Sequence, residues 1–264
     1  MSVATLVERV ARVPGIKAVT LGGSRARGMA RPDSDWDIGL YYRGGIDTDA
    51  IRELGYTGHV AEPGDWGRIA NGGAWLEVER ERVDLLYRNL DVVEHWIAEA
   101  EDGHFEIERV GGHVAGLPTY VLAGELALGT VLRGSLPRPS FSAALRRSAP
   151  PQWEGDAAFS VLVAEQHSAR GDVAACVGLL ARAVMAAAHA RLAGHGTWAL
   201  NEKGLVASAG LDEAAEILTA VGWTPARLTA SVAKIRQVLR LERPSGLQLD
   251  SVVRVGASDD SRLS

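Results

Sequence analysis

An α+β architecture, with a small mixed sheet followed by a helical bundle, is what these 264 residues predict. Three observations carry it. Short alternating apolar runs bounded by glycines fill the first third of the chain and read as strands. From about residue 117 the spacing changes to the helical period, with good capping signals. The chain is long enough for two modest domains. The expected division is a sheet-based domain over residues 1–115, a helical domain over 116–243 and a loose polar tail over 244–264.

The elements follow in order. Residues 3–13 predict a helix, with Leu6, Val7, Val10 and Val13 as its inner stripe and Pro14-Gly15 ending it. Val19-Thr20-Leu21 is a strand that leaves the sheet at Gly22-Gly23, and Ser24 opens a helix. Residues 35–42 alternate, with Trp36, Ile38, Leu40 and Tyr42 on one face and Asp35 and Asp37 on the other. Residues 56–73 read as a long glycine-rich connection, a feature often reserved for function. Residues 74–78 and 82–87 pair as a hairpin around Glu79-Arg80-Glu81. Asn89 caps a helix over 91–100, with Gly103 beyond its end.

Helices are then expected over 120–132, 141–147, 156–170, 172–192, 202–209, 211–220 and 225–241, with a proline-containing joint over 137–151. Asp156, Gly171, Asp172 and Gly194 supply their start and stop signals.

Composition sets limits. The hydrophobic fraction of 47% is ordinary for a globular chain, which argues against wholesale disorder. The apolar stretches read as interrupted short of a membrane span, and no charged-then-apolar leader opens the chain, so the expectation is a cytoplasmic protein without a membrane partner. The single Cys176 excludes an internal disulfide framework, and its Ala-rich setting suggests packing. A net charge of −5 disfavours a long basic track for a nucleic-acid partner and suits a small acceptor better.

The chemistry concentrates in residues 22–37. Glycines let the backbone approach a ligand closely, and the free N–H groups at a helix start favour an anion such as phosphate. Arg27, one turn on, can add a forked contact to phosphate oxygens. Asp35 and Asp37 lie roughly 6.5 Å apart along a strand and point the same way. Two like charges there repel unless a cation neutralises them, and oxygen ligands of this kind suit Mg²⁺. Asp84, in the middle of Val83-Asp84-Leu85-Leu86, is a third acid where a core strand would bury a charge. Glu77 and Glu79 compete with it, but read as exposed hairpin positions.

Gly23-Ser24, Arg27-Gly28, Asp35-x-Asp37 and the later Asp84 resemble, in type and order, the signature of the DNA polymerase β-type nucleotidyltransferase superfamily. The nearest flavour is its small bacterial branch of minimal and antibiotic nucleotidyltransferases. The resemblance spans about residues 16–88. It implies that Gly23, Ser24 and Arg27 hold the triphosphate, and that Asp35, Asp37 and Asp84 bind two Mg²⁺ ions. The reaction implied is transfer of a nucleoside monophosphate, AMP from ATP or its counterpart from another nucleoside triphosphate, to an acceptor with release of pyrophosphate. The leading acceptor is a hydroxyl of a small molecule, such as an aminoglycoside- or lincosamide-like antibiotic. The competing readings are a toxin–antitoxin-type enzyme acting on a protein or tRNA, and an inactive nucleotide-binding regulator.

The remaining candidates speak less clearly. Trp66 and Asn71-Gly72-Gly73 can flank a base or acceptor, although a loop tryptophan is more often a packing plug. Lys203 sits in the first turn of a short expected helix, where a cation is unfavourable unless a triphosphate reverses the sign. Related two-domain enzymes place such a lysine on the nucleotide. Glu125 and Glu165 are candidate bases or cation contacts. His167, His189 and His195 read as packed or solvated, without zinc-ligand spacing. Arg182 and His189 only weakly resemble a HEPN ribonuclease pair and read as structural.

Overall fold

In a computed structural model of the chain, residues 2–242 are described; the tail expected over 244–264 lies outside them. The elements run α1 (Val3–Val10), β1 (Ile16–Leu21), α2 (Gly23–Ala26), β2 (Trp36–Tyr42), α3 (Thr48–Arg52), β3 (Thr57–Val60), β4 (Gly73–Val78), β5 (Glu81–Asn89) and α4 (Leu90–Asp102). They continue with β6 (Ile107–Glu108), β7 (Leu117–Pro118), α5 (Val121–Leu128), β8 (Thr130–Arg133), α6 (Ala143–Arg170) and α7 (Val173–Gly194). Last come α8 (Leu205–Ser208), α9 (Asp212–Leu218) and α10 (Pro225–Leu239). The class is α+β, as the sequence predicts.

Among the described residues the main sheet has six strands in the order β3-β4-β5-β2-β1-β8. Only β2 and β5 pair in parallel; the other neighbours are antiparallel. Period-two alternation gives the sheet two different faces. On one, Ile38, Leu40, Val83 and Leu85 pack with Leu6 and Val10 of α1 and Ile51 of α3, all almost fully buried. On the other, Ala18 and Tyr41 pack with Val93 and Trp96 of α4 and Leu122 and Leu126 of α5. Asn89 caps α4 through the Asp91 N–H, and Gly103 closes it in the left-handed conformation, as expected.

Several expectations give way. The connection over 56–73 contains an edge strand, β3, paired with β4. The helix expected over 120–132 stops at Leu128: the Gly129 N–H still bonds back to Glu125, and the next residues leave to pair with β1. β-branched Thr130 and Val131 suit that exit. The joint expected over 137–151 does not break the chain there. Pro150 and Pro151 lie inside α6, so the two helices expected at 141–147 and 156–170 are one. The helix expected over 202–209 is reduced to α8, because Asn201 caps a turn instead: its side-chain oxygen accepts the Lys203 N–H at 3.0 Å.

The chain divides into two compact units. One comprises residues up to Trp153 together with Met185–Gly210, and holds the sheet. The other comprises Glu154–Val184 and the described residues from Leu211 onward. In this second unit Leu228, Val232 and Ile235 of α10 are buried, Glu165 is paired with Arg236 at 2.7 Å, and Arg182 with Asp156 at 2.7 Å. Contrary to the expectation from apolar runs, α7 is long and apolar enough to cross a membrane by length and composition. Half of that apolar stretch is buried inside the protein, including Cys176, Leu180 and Ala183, as in a core helix.

Candidate active site

β2 and β5 set the geometry. Their parallel register places Asp37 directly beside Asp84 on the same face, while Ile38, Val83 and Leu85 point to the opposite core. Asp35 lies just before β2, with its carboxylate contacted by the Arg82 guanidinium at 2.6 Å. Burial, then the Asp35 charge, pushes the Asp37 carboxyl above its ordinary range. Asp84 is pushed up to about 6, again first by burial, then by Asp37 and Asp35. These acids therefore repel one another in a partly desolvated place.

The glycine turn is stitched to this strand. The Gly22 N–H donates to the Asp37 carbonyl at 2.7 Å, and α2 begins immediately after it. Gly23 has φ of +60°, and a Cβ there would sit 1.6 Å from the Asp37 carboxylate oxygen Oδ2. Only glycine fits. Arg27 closes the turn by donating from Nε to the Gly23 carbonyl at 3.1 Å, and its charge reaches Asp37. Ser24 lies in the same turn, half-buried.

Lys203 joins the cluster from far along the sequence, since its charge works against the upward shift of both Asp37 and Asp84. The segment carrying it is held by Glu202, whose two carboxylate oxygens accept the N–H groups of Val114 and Ala115 at 2.6 and 2.7 Å. Asp35, Asp37, Asp84, Gly23, Ser24, Arg27 and Lys203 thus all lie in the same compact unit. Glu125 is also here, but Arg88 takes both its oxygens, at 2.6 and 2.7 Å. Burial works against the Arg88 charge, but Glu125 outweighs it, and the Arg88 pKa is raised. Sequence reading passed over Arg88. Its signal was the alternation Asp84, Leu86, Arg88, which puts it on the acid face of β5.

A cavity of about 370 Å³ adjoins these groups. Gly22, Gly23, Asp37 and Asp84 line one part of it; Tyr41, Leu117, Val121 and Leu200 give it apolar walls, with Arg88, Glu125 and Asn201 among them. Other candidates stand apart from this chemistry. Asn71 donates to the Tyr42 hydroxyl at 2.9 Å, a loop-holding bond. His167 meets Asp172 at 2.9 Å. His189 stacks on Trp153 with ring centres 4.4 Å apart, and among the described residues neither ring nitrogen has a hydrogen-bond partner.

The donor set suits a hard cation: it offers carboxylate oxygen only, half-buried, with mutual repulsion that a divalent ion would relieve. Among the described residues no three His, Cys, Asp or Glu side chains are already drawn around one point. Arg82 on Asp35 supplies part of the compensating charge instead.

A mixed sheet bearing a glycine turn beside in-register acids is the frame of a nucleotidyl-transfer site, and the family comparison agrees. Residues 3–95 match the model of the nucleotidyltransferase domain family. The match covers that segment, about a third of the chain, and a nucleotidyltransferase domain is what it supports there. No curated protein matches the chain. Among solved structures it is similar to a nucleotidyltransferase-like protein from Exiguobacterium sibiricum, at 11% identity over 90% of this chain and 73% of that one, TM-score 0.43. A spectinomycin adenyltransferase from Enterococcus faecialis, solved with ATP and spectinomycin, matches at 11% identity over 90% and 98% of the two chains, TM-score 0.31. An aminoglycoside 6-adenyltransferase from Bacillus subtilis matches at 12% identity over 96% and 95%, TM-score 0.28. The likeness to a nucleotidyltransferase domain therefore rests on residues 3–95 alone.

Proposed function

We propose that the protein transfers a nucleoside monophosphate, AMP from ATP in the first instance, to a hydroxyl of a small molecule. The observation that carries this reading is the in-register pair Asp37–Asp84 beside the Gly22–Ser24 turn. The backbone N–H groups of the turn, with Arg27 and Lys203, receive the triphosphate. The adjoining cavity takes the nucleoside. Asp35, Asp37 and Asp84 would hold divalent metal, Mg²⁺ by donor chemistry, which supplies charge neutralisation at the phosphates and at the attacking oxygen. The acceptor oxygen forms a bond to the α-phosphorus while the bond from that phosphorus to the β-phosphate bridge breaks. Pyrophosphate leaves, and the hydroxyl proton passes to the carboxylate cluster.

A cytoplasmic setting and a small acceptor, an antibiotic-like hydroxyl compound included, belong to this reading; the net charge of −5 supports the small acceptor. A macromolecular acceptor is the alternative. The test is incubation with labelled ATP and Mg²⁺ against a panel of hydroxyl compounds, tRNA and cell lysate. Label on a small compound is expected; label on macromolecules alone would reject the small-acceptor reading. Binding is checked separately. Mg²⁺ with ATP should raise the melting temperature of the wild type and not of Asp35→Asn or Asp37→Asn. An unchanged shift in both variants would sink the metal assignment.

A further inference from the structure

The strand register carries the active row beyond the acids. Asp84 on β5 pairs directly with Trp75 on β4, and Trp75 with His59 on β3. Directly paired residues share a face, so the row reads Asp37, Asp84, Trp75, His59 on the surface that carries the acids. Neighbouring strands are about 5 Å apart, which puts the Trp75 backbone about 5 Å from that of Asp84 and about 10 Å from that of Asp37. The phosphate turn lies at the opposite end, beside Asp37.

Trp75 is an unusual occupant of this position. It remains 53% exposed while its neighbours in the chain, Ala74 and Leu76, are buried in the core. Trp66 stacks on it with ring centres 4.8 Å apart and an interplanar angle of 19°. Trp66 is itself seated over Gly73, where a Cβ would meet its ring at 2.6 Å. The His59 ring lies 5.9 Å from that of Trp75 on the next strand. A tryptophan needed only to plug the 61–72 connection would be covered, as Ile69 in that connection is. Half of this indole is instead left in water next to the acids.

We propose that the stacked Trp66–Trp75 pair, flanked by His59, is the platform on which the acceptor lies. The reading rests on the transfer reaction above and adds its acceptor subsite. With phosphates at the turn and acids in the middle of the row, an attacking hydroxyl over Asp84 belongs to a molecule extending over Trp75. An indole face takes a flat apolar surface, from an aromatic ring or from the C–H face of a saturated one. Glu77, two residues along β4, shares the face of Trp75 and is exposed, so hydroxyls at the rim of such a ring meet carboxylate acceptors at Glu77 and Asp84. An apolar face with donors around its edge describes a polyhydroxylated ring, a sugar or cyclitol, rather than an acyclic polyol or a protein side chain.

The experiment measures labelled AMP transfer from ATP to methyl β-D-glucopyranoside, D-glucosamine and myo-inositol, with sorbitol as the acyclic comparison. Wild type, Trp75→Ala, Trp75→Phe and Trp223→Ala are compared, Trp223 being an 81% exposed tryptophan in the other unit. At least one ring compound should be labelled and sorbitol not. Trp75→Ala should raise the KM for that ring compound at least about tenfold, the size expected for losing one stacked ring. The KM for ATP and the Mg²⁺–ATP melting shift should stay unchanged, Trp75→Phe should keep most of the affinity, and Trp223→Ala all of it. Unchanged acceptor KM in Trp75→Ala, a change falling on ATP instead, or label on sorbitol or macromolecules but on no ring compound would each overturn the platform. Absence of the Mg²⁺–ATP shift in the wild type marks failure of the underlying transfer reading instead.

Discussion

The two faces of the sheet are built from the same strands and differ in every respect that matters for chemistry. On one face Ile38, Leu40, Val83, Leu85 and Tyr87 are sealed against α1 and α3. On the other, one residue out of step, Asp37 and Asp84 are only partly compensated, and Trp75 stays open to water. One side of the backbone is core throughout, whereas the other combines the core against α4 and α5 with the reactive row, at a Cα step of about 3.3 Å. A protein arranged this way tolerates repelling acids because the opposite face has already fixed the strands that carry them.

The sharpest way to test that division is to change adjacent residues. Asp84→Asn should lower nucleotide transfer by at least about a hundredfold. Its melting temperature should hold or rise, because a carboxylate crowded by Asp37 and Asp35 is removed. Leu85→Ala should do the reverse, costing about 3 kcal/mol of unfolding free energy while leaving Mg²⁺–ATP binding intact below its melting point. Equal effects of the two changes on stability would break the comparison.

Arg88 tests where the acid face itself becomes structural. Its side chain is only 7% exposed and Glu125 is its partner. Arg88→Leu should cost about 4 kcal/mol in urea unfolding, because Glu125 is left without its cation. Adding Glu125→Leu should recover much of that loss; no recovery would mean the cost lay in packing.

The smallest effect concerns His189, a buried titratable group whose ring nitrogens have no hydrogen-bond partner among the described residues. Burial first, then His113, lowers its pKa from 6.5 to about 4. The unfolded chain takes up a proton near pH 6.5 and the native state only near pH 4, so stability falls as pH drops through that window. The loss reaches about 3 kcal/mol at its acid end. Urea titrations from pH 7 to 4 should show a shallower decline in His189→Phe, which keeps the stack on Trp153. An identical decline would show that other groups set it.

Much of the acid face was legible because period two is a local property: Asp37, Asp84 and the apolar partners that define their direction can all be read along single strands. Arg88 obeyed the same alternation but was passed over, since its meaning depends on Glu125 37 residues away. Lys203 entered as a charge at an expected helix start, yet the structure puts it near the acids through the Glu202 bonds to Val114 and Ala115. No local pattern encodes those. The misread elements have a common cause. Pro150-Pro151 looks like a break, and Leu126 to Leu132 like one helix, because propensity weighs residues without knowing what they pack against.

β8 carries a consequence for how this chain can be cut and made. The strand that closes β1 is Thr130–Arg133, far downstream of the segment that matches the nucleotidyltransferase domain. A fragment ending near residue 95 would leave the β1 edge bare, a template for pairing with another copy. It would also lack Glu125 and Lys203. On the ribosome the same edge waits unpaired until residue 133 has emerged, so early synthesis is when this protein is most exposed to self-association.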